Sequence, residues 1–247
     1  MKKYTISVLF TSILLILWEF IARAIQLSFI LPSPIQIMVR LIELKEPLFL
    51  KHLPVTLVVI LLGLAISLVL GICIAIFMHR SPVIEQALYP LLITSQTIPI
   101  IALAPIFVLW FGYTIWSKVV VTVLITFFPI AIGVFDGLRS TDKDFKELFL
   151  TFGLTRRQLF WKLEVPSALP SFFSSLKVAV PLSVIGAAIG EWLGAQAGLG
   201  YFSRRMMTQF DGAGVFAPIV LLSFIGILLF LIVLGIEKYY LKWRYEP

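Results

Sequence analysis

The chain has 247 residues, of which 60% are hydrophobic and 13% are charged, and its formal net charge is +7. A mean hydropathy of +1.03 lies outside the range of soluble globular domains and excludes that class. The long uncharged runs lack the alternation of a membrane barrel. The sequence therefore predicts an all-α integral membrane protein, with a single transmembrane domain over residues 1–247.

Six membrane-spanning helices are predicted, because one span needs roughly 20 apolar residues. The first extends from Lys3 to about Ile25, since the apolar character continues past the single Glu19. A cleaved signal peptide is the alternative for this run, with Ala22-Arg23-Ala24 as the cleavage site. The other five spans are predicted over residues 54–78, 86–111, 117–136, 172–193 and 213–236.

A short amphipathic helix is predicted on the outer side, within residues 33–46. Ser33 is its expected N-cap and Pro34 its first helical residue, and apolar residues follow at helical spacing. We expect this segment to lie along the membrane surface.

The third predicted span contains four consecutive polar residues shortly before a proline. Polar side chains are costly in lipid, so these residues face either protein or a water-filled path. Pro90 and Pro105, together with the proline that follows the polar run, are expected to break or kink this helix. The residues predicted to form a translocation path or gate here are Thr94, Gln96, Thr97 and Pro99.

The polar segment between the fourth and fifth predicted spans, residues 138–170, is predicted to form two short helices joined by a glycine turn. Thr141 is the expected N-cap of the first helix. Gly153 ends that helix where a left-handed conformation is expected. Thr155 and Gln158 are spaced as the capping box that opens the second helix.

Pro166 and Pro170 are expected to close the second helix of this segment. Its residues alone leave three functions open. The segment is a hairpin on the membrane surface, a DNA-reading helix-turn-helix, or a docking element for a cytoplasmic partner. A DNA-reading unit is disfavoured, because it would be held against the bilayer.

The fifth predicted span carries small residues every four positions, Gly186, Gly190, Gly194 and Gly198, which places them on one helix face. Such a face serves either close helix packing or a pore and gate contact. Glu191 is an ionisable residue inside a span and is therefore a functional candidate, with a structural hydrogen bond as the alternative. We predict that Gly190, Glu191 and Gly194 belong to the path or gate.

No common catalytic or metal-binding motif occurs in the sequence. Cys73 is the only cysteine, and His52 and His79 flank the second span at opposite ends, too far apart to share a metal. The nucleophile elbow, the zinc-protease motif and the P-loop are all absent. We expect no catalytic residue, no metal and no cofactor, and any energy from ATP must come from another subunit.

The distribution of Lys and Arg predicts the orientation. With the N-terminus inside, the inner segments carry twelve of these residues and the outer segments seven. Lys177 sits at the inner end of the fifth span, where it is expected to snorkel. Both termini and residues 138–170 are therefore predicted to be cytoplasmic. Topology explains the net positive charge without a nucleic-acid partner.

Residues 138–170 resemble the EAA motif of ABC importer permeases. Glu147, Gly153 and Pro166 match that motif in register, whereas Leu148 and Phe149 replace its two alanines. The resemblance implies a coupling helix that sits in a groove of an ATPase subunit. The residues that it assigns to coupling are Glu147, Phe149, Gly153, Leu154, Thr155, Leu163 and Pro166.

Short motifs elsewhere, such as Leu31-Pro32-Ser33-Pro34, resemble one branch of these permeases, which imports nitrate, sulfonates, taurine and thiamine-precursor pyrimidines. The resemblance implies a type I ABC importer permease in the bacterial inner membrane. The implied partners are a cytoplasmic ABC ATPase dimer, an extracytoplasmic solute-binding protein, a second permease subunit that forms a homodimer, and membrane lipid. A self-sufficient secondary transporter and a membrane-embedded enzyme are the less favoured classes.

The segment from Gly190 to Tyr201 most resembles permeases for pyrimidine precursors of thiamine, with sulfonate, taurine and nitrate as the alternatives. Arg204 and Arg205 suit an anionic solute, but solvated loop charges or a docking patch are the favoured interpretation. In such importers the solute is selected largely by the binding protein.

Overall fold

A computed structural model describes residues 2–242, with side chains from residue 5 onward. Three of the basic residues that were counted for the predicted orientation lie outside this description. They are Lys2 and Lys3, whose side chains are not described, and Arg244. The helices of the described chain are α1 (Lys2–Ile25), α2 (Pro34–Glu43), α3 (Leu53–Arg80), α4 (Pro82–Ser95), α5 (Ile100–Phe111), α6 (Ile115–Arg139), α7 (Lys143–Thr151), α8 (Arg156–Leu159), α9 (Val165–Gly194), α10 (Leu199–Thr208) and α11 (Gly212–Tyr240).

The long helices α3, α6, α9 and α11 form the bundle, and α6 packs against both α3 and α9. Two histidines mark its ends. His52, at the start of α3, accepts a hydrogen bond from the backbone of Gly198, just after α9. His79, at the other end of α3, contacts Glu164, just before α9. We call these the His52 end and the His79 end.

Small residues allow the helices of this bundle to approach closely. A methyl group at Gly71 of α3 would meet the Ile130 side chain of α6 at 2.9 Å. A methyl group at Gly137 of α6 would meet Ser171 of α9 at 2.8 Å. Lipid tails are as apolar as the helices, so close packing of this kind, rather than water exclusion, holds membrane helices together.

The third span is broken, unlike the single helix predicted over residues 86–111. Helices α4 and α5 meet at an angle of 100°. Pro99, the N-cap of α5, lies at the break, whereas Pro90 and Pro105 lie inside α4 and α5. Because α3 finishes at the His79 end and α6 begins at the His52 end, the bent pair must connect the two ends. Together with the five long apolar helices found among the described residues, it makes six candidate spans.

The fifth span begins earlier than predicted. The helix continues from α8 through a π-helical turn, Phe160–Glu164, directly into α9. The expectation that Pro166 and Pro170 close a helix was therefore wrong. The Val165 N–H donates to Phe160 O, five residues back, so the turn just before Pro166 is widened. A widened turn accommodates a residue that has no N–H and whose ring crowds the ordinary α-helical carbonyl.

An ion pair joins Lys177 of α9 to Glu237 of α11. Lys177 Nζ lies 2.7 Å from Oε2 of Glu237, and the Glu237 side chain is only 3% exposed. Lys177 therefore joins α9 to α11, and because its side chain is 23% exposed, the expectation that it snorkels stays a prediction. The two charges compensate each other inside the bundle, as ionisable groups within spans generally do.

Helices α1 and α2 lie beside the bundle. Ser33 caps α2 as predicted, and its hydroxyl and the Gln36 side chain form a reciprocal capping box. Glu19 Oε2 of α1 accepts a hydrogen bond from the Ile35 N–H at 3.1 Å. Most apolar side chains of α1 remain exposed, which fits a helix that faces lipid or another subunit.

Candidate functional site

The hairpin of α7 and α8 lies at the His79 end. Gly153, in the turn, has φ +79°, so the predicted left-handed conformation is confirmed, and a methyl group there would meet nothing within 4 Å. The capping box between Thr155 and Gln158 is also confirmed. The predicted first cap was wrong. Asp142 caps α7 through Asp144 N, whereas the Thr141 hydroxyl donates back to Leu138 O.

The apolar side chains of this hairpin are exposed. Helix α7 contains no buried residue. Phe145 is 55% exposed, Phe152 is 74% exposed, and Trp161, just past α8, is 60% exposed. Apolar groups gathered at one end of a protein in this way are typical of an interaction surface.

The residues predicted to couple the chain to an ATPase all lie in this hairpin or just after it. Glu147, Gly153 and Thr155 are exposed, as is Pro166 in the first turn of α9. Phe149, Leu154 and Leu163 are half-buried. The exposed members are therefore available to a partner, and the half-buried ones support the hairpin from behind.

One ionic cluster beside the hairpin was missed by the sequence analysis. Glu164 Oε1 lies 2.7 Å from Lys146 Nζ, and its Oε2 lies 3.0 Å from His79 Nε2. The three residues come from the π-helical turn, from α7 and from the end of α3. Their separation along the chain explains why no local pattern revealed them.

Glu191 is fully buried at the His52 end, near the finish of α9. Its Oε2 accepts a hydrogen bond of 2.8 Å from Gly200 N. Thr56 Oγ1 accepts a hydrogen bond of 2.8 Å from Leu199 N, and His52 Nδ1 accepts one of 3.1 Å from Gly198 N.

These three N–H groups open α10, where no intrahelical acceptor is available. Side chains of α9, of α3 and of a π-helical segment before α3 (Pro47–His52) thus replace the missing acceptors. We call this cluster the α10 clamp. Sequence analysis singled out Glu191 but missed its two partners.

Glycine is required at the centre of the α10 clamp. Gly198 has φ +118° and ψ 160°, a region that essentially only glycine adopts. A methyl group on Gly198 would also collide with the carboxyl group of Glu191. Gly198 lies beyond the end of α9, so the predicted stripe of four glycines on one helix face contains only three.

The remaining three glycines of that stripe pack against neighbouring helices. A methyl group at Gly186 would meet Thr122 Cα at 2.8 Å, and one at Gly190 would meet Lys118 Cα at 2.9 Å. A methyl group at Gly194 would collide with Val108 of α5. This arrangement supports the packing interpretation and leaves a path or gate contact as a prediction.

The polar residues of the third span lie at the bend between α4 and α5. The Thr94 hydroxyl donates to Pro90 O at 2.8 Å, and the Thr97 hydroxyl donates to Thr94 O at 2.7 Å. Thr94, Gln96, Thr97 and Pro99 are all exposed. Within the described chain, no hydrogen bond joins this group to Glu191, so the structure presents two separate groups of predicted path residues.

An apolar groove of about 470 Å³ runs beside the α10 clamp, between α5, α9, α10 and α11. Ile101, Trp192 and Ile219 line it, and Gly200 links it to Glu191. The groove therefore extends from the clamp to the apolar face of the bundle near Trp192 and Ile219.

An ion pair fastens α2 to the same end. Arg40 Nη2 lies 2.8 Å from Asp211 Oδ2, and Arg40 Nη1 lies 2.8 Å from Glu43 Oε2. The carboxylates of Glu43 and Asp211 raise the pKa of the Arg40 guanidinium above its already high usual value. Asp211 also caps α11 by accepting from Gly214 N. Helix α2 is thus joined to the α10–α11 junction.

Within the described residues, no group of three or more His, Cys, Asp and Glu side chains lies close enough together to hold a metal ion. The two groups of functional candidates are a hairpin with an exposed apolar surface and a buried clamp on a short helix. Neither arrangement provides a nucleophile beside a base. Their geometry is suited to docking and to the transmission of movement.

Comparison with known proteins gives a consistent result. Residues 67–242 match the family described as "Binding-protein-dependent transport system inner membrane component". The chain is 61% identical to the formylaminopyrimidine transport permease protein ThiX of Halalkalibacterium halodurans, over 96% of this chain and 94% of that protein. It is 28% identical to the taurine transport system permease protein TauC of Escherichia coli, over 100% of this chain and 90% of that protein.

The fold is also found among solved structures. A crystal structure of an amino acid ABC transporter with histidines contains a chain that matches with a TM-score of 0.53. The alignment covers 79% of this chain and 94% of that one, at 18% sequence identity. This similarity establishes the fold.

Proposed function

Because the chain belongs to the family of binding-protein-dependent transport system inner membrane components, we propose that its solute is a formylaminopyrimidine, a precursor of thiamine. The chain is the permease subunit of an ABC importer. The observation that carries the proposed substrate is the 61% identity to ThiX along nearly the whole of both chains. The taurine permease is related at only 28% identity, which favours the pyrimidine over a sulfonate.

The hairpin of α7 and α8 is the proposed docking site of the ATPase. Its support is the match to the EAA motif together with the exposure of Phe145, Phe152 and Trp161. An ATPase that covers these side chains removes apolar surface from water and gains a contact with Glu147. The His79 end is accordingly the cytoplasmic end, in agreement with the distribution of Lys and Arg.

The His52 end then faces the solute-binding protein. Helices α2 and α10 lie there, joined to the bundle by the Arg40–Asp211 ion pair and by the α10 clamp. A second copy of this chain completes the transporter in the cell membrane. The apolar face near Trp192 and Ile219 is suited to a neighbouring subunit, because its lining is almost entirely apolar.

The residues predicted to form the path or gate divide into groups with different proposed roles. Thr94, Gln96 and Thr97 are exposed at a bend in a broken span, where polar side chains need water or protein. Glu191 acts through its hydrogen bond to α10. Gly190 and Gly194 contribute close packing against α6 and α5.

Ligand binding by the cognate solute-binding protein is the experiment that tests the substrate. We expect calorimetry to detect formylaminopyrimidine binding and to detect no binding of taurine, an alkanesulfonate or nitrate. Membrane vesicles with the permease, the ATPase and this binding protein are expected to import labelled formylaminopyrimidine only when ATP is inside. Binding of taurine instead would overturn the proposed substrate, and import without ATP would overturn the importer class.

A further inference from the structure

Glu164 lies where three helical segments meet at the His79 end. It closes the π-helical turn that leads into α9, and it is buried. One carboxylate oxygen lies 2.7 Å from Lys146 Nζ of α7. The other lies 3.0 Å from His79 Nε2, one residue before the end of α3. A single carboxylate therefore bonds one short helix and one long helix at the same time.

Helix α7 is otherwise weakly held. It contains no buried residue. In the part of the chain that the structure describes, the Lys146–Glu164 contact is the only side-chain hydrogen bond or ion pair between α7 and another helix. The apolar side chains of α7 add limited anchoring within this chain, because Phe145 and Leu148 are half exposed or nearly so and only Phe149 among them is half-buried. The charge pair is thus the specific tether of α7.

On its other side, the tether is attached to two long helices. Glu164 leads without interruption into α9, which continues to Gly194 and carries the buried Glu191 near its far end. His79 ends α3, whose far end begins beside the α10 clamp. Movement applied to Glu164 therefore reaches α9 and α3, two long helices that both extend to the opposite end of the bundle.

We propose that Glu164 is a positioning residue that joins α7 to α3 and α9, so that displacement of α7 by the ATPase moves both membrane helices. This inference rests on the proposed function of the hairpin. The physical basis is the cost of separating the groups. A buried carboxylate that loses one cationic partner is left partly uncompensated, so Lys146, Glu164 and His79 move together.

The proposal is distinct from docking by the EAA-type residues. Glu147 is exposed and is proposed to contact the ATPase, whereas Glu164 is buried behind the hairpin. Loss of a docking contact weakens ATPase binding. Loss of the tether leaves the docking surface in place and uncouples its movement from the membrane helices.

Lys146→Gln is the primary test. Lys146 lies on a short helix without buried residues, so this substitution leaves the packing of the bundle intact. Lys146→Arg keeps a cation for Glu164, and Glu164→Gln removes the shared carboxylate. Glu85→Gln is the matched control. Glu85 forms an ion pair of 3.0 Å with Arg139 at the same end of the bundle, between α4 and α6, and does not contact α7.

Each variant is reconstituted in vesicles with the cognate ATPase and with the solute-binding protein loaded with formylaminopyrimidine. The measurements are ATPase co-purification and the ratio of stimulated to unstimulated ATP hydrolysis. We expect Lys146→Gln and Glu164→Gln to keep the ATPase bound but to lower the ratio by at least about fivefold, the lower end of couplings between sites. Lys146→Arg and Glu85→Gln are expected to retain the wild-type ratio.

Three results would overturn the inference. The first is a wild-type ratio in Lys146→Gln, and the second is an equal loss in Lys146→Gln and Lys146→Arg. The third is loss of ATPase co-purification in Lys146→Gln, which would make Lys146 a docking residue. Absence of stimulation in the wild-type protein would instead overturn the proposed function itself, and the tether with it.

Discussion

Two glycines with positive φ, one at each end of the bundle, have opposite surroundings. Gly153 turns the hairpin with φ +79° in open space. Gly198 precedes α10 with φ +118°, and the carboxyl group of Glu191 fills the space where a side chain would begin. Both positions favour glycine, but the first needs only a backbone conformation and the second also needs the absence of Cβ.

The same contrast extends to the elements around them. The α10 clamp satisfies three backbone N–H groups with buried side chains, so its geometry is fixed within this chain. The hairpin exposes its apolar side chains and is tethered by one ion pair. The clamp is therefore built to retain its shape, whereas the hairpin leaves an apolar surface open, on which we propose that the ATPase docks. Substitutions at the first are expected to act on folding, and those at the second on coupling.

Gly198→Ala is expected to have the largest effect on stability. The backbone conformation is unfavourable for alanine, and the new methyl group must displace the Glu191 carboxyl group. Together these effects cost roughly 2–5 kcal/mol of the free energy of unfolding. The measurement is the thermal unfolding midpoint and the folded yield of the purified protein in detergent.

Gly112→Ala is the matched control for this change. Gly112 has φ 65° and ψ −165°, in the same region that glycine alone readily adopts, but a methyl group there meets nothing within 4 Å. It carries the backbone cost without the collision, so its unfolding midpoint is expected to fall less. Equal losses in both variants would show that the Glu191 carboxyl group yields freely and that the clamp is not rigid.

The second largest effect is expected from Glu191→Ala. It removes the acceptor of the Gly200 N–H in a buried position, which costs about 1–3 kcal/mol. Glu191→Gln retains an amide oxygen as acceptor, so we expect it to keep near-normal folded yield and near-normal uptake. Folded Glu191→Gln protein that has lost uptake would show that the charge itself acts in the translocation path.

The third change, Gly153→Val, is expected to affect stability less and coupling more. A β-branched residue in a left-handed conformation costs roughly 1–2 kcal/mol, and nothing lies near enough for a collision. The protein is expected to insert normally, but the direction of α7 relative to the bundle is expected to change. ATPase co-purification or stimulated hydrolysis then falls, and Glu147→Lys is expected to act similarly by reversing a contact charge.

Gly153→Asn is the control at the same position, because asparagine tolerates the left-handed region better than other non-glycine residues. We expect it to retain most of the stimulated hydrolysis. If Gly153→Val and Glu147→Lys both behave as wild type, the ATPase docks elsewhere and the hairpin only covers the membrane surface.

The features that sequence analysis predicted correctly are local. Long uncharged runs determine where helices span, and caps such as Ser33 and Thr155 depend on residues three positions away. The left-handed turn at Gly153 is likewise encoded within one helical turn. Composition and short-range pattern were therefore sufficient for the fold class and for the glycine turn and second cap of the hairpin.

The missed features depend on distant residues or on neighbouring turns. His52 and Gly198 are 146 positions apart, and His79 and Glu164 are 85 positions apart, so no window of sequence joins them. The continuation of the helix through Pro166 depends on the π-helical turn before it, which has no simple residue signature. In both cases the structure depends on how helices and turns pack, which the periodicity of apolar residues in the sequence does not show.

The smallest effect on the molecule is expected from cysteines that report orientation, and these test whether the two ends face opposite compartments. In a Cys73→Ala background, Thr151→Cys places a thiol on the exposed hairpin at the His79 end, and Lys45→Cys places one just after α2, which packs against α11 at the His52 end. Both positions are exposed, so neither substitution is expected to alter uptake.

A membrane-impermeant maleimide added to intact cells is expected to label position 45 and to label position 151 only after the membrane is opened. The reason is the excess of Lys and Arg toward the His79 end, which retains that end in the cytoplasm during insertion. Labelling of position 151 from outside would contradict the orientation. It would also remove the proposed ATPase docking, because no cytoplasmic protein reaches an extracytoplasmic hairpin.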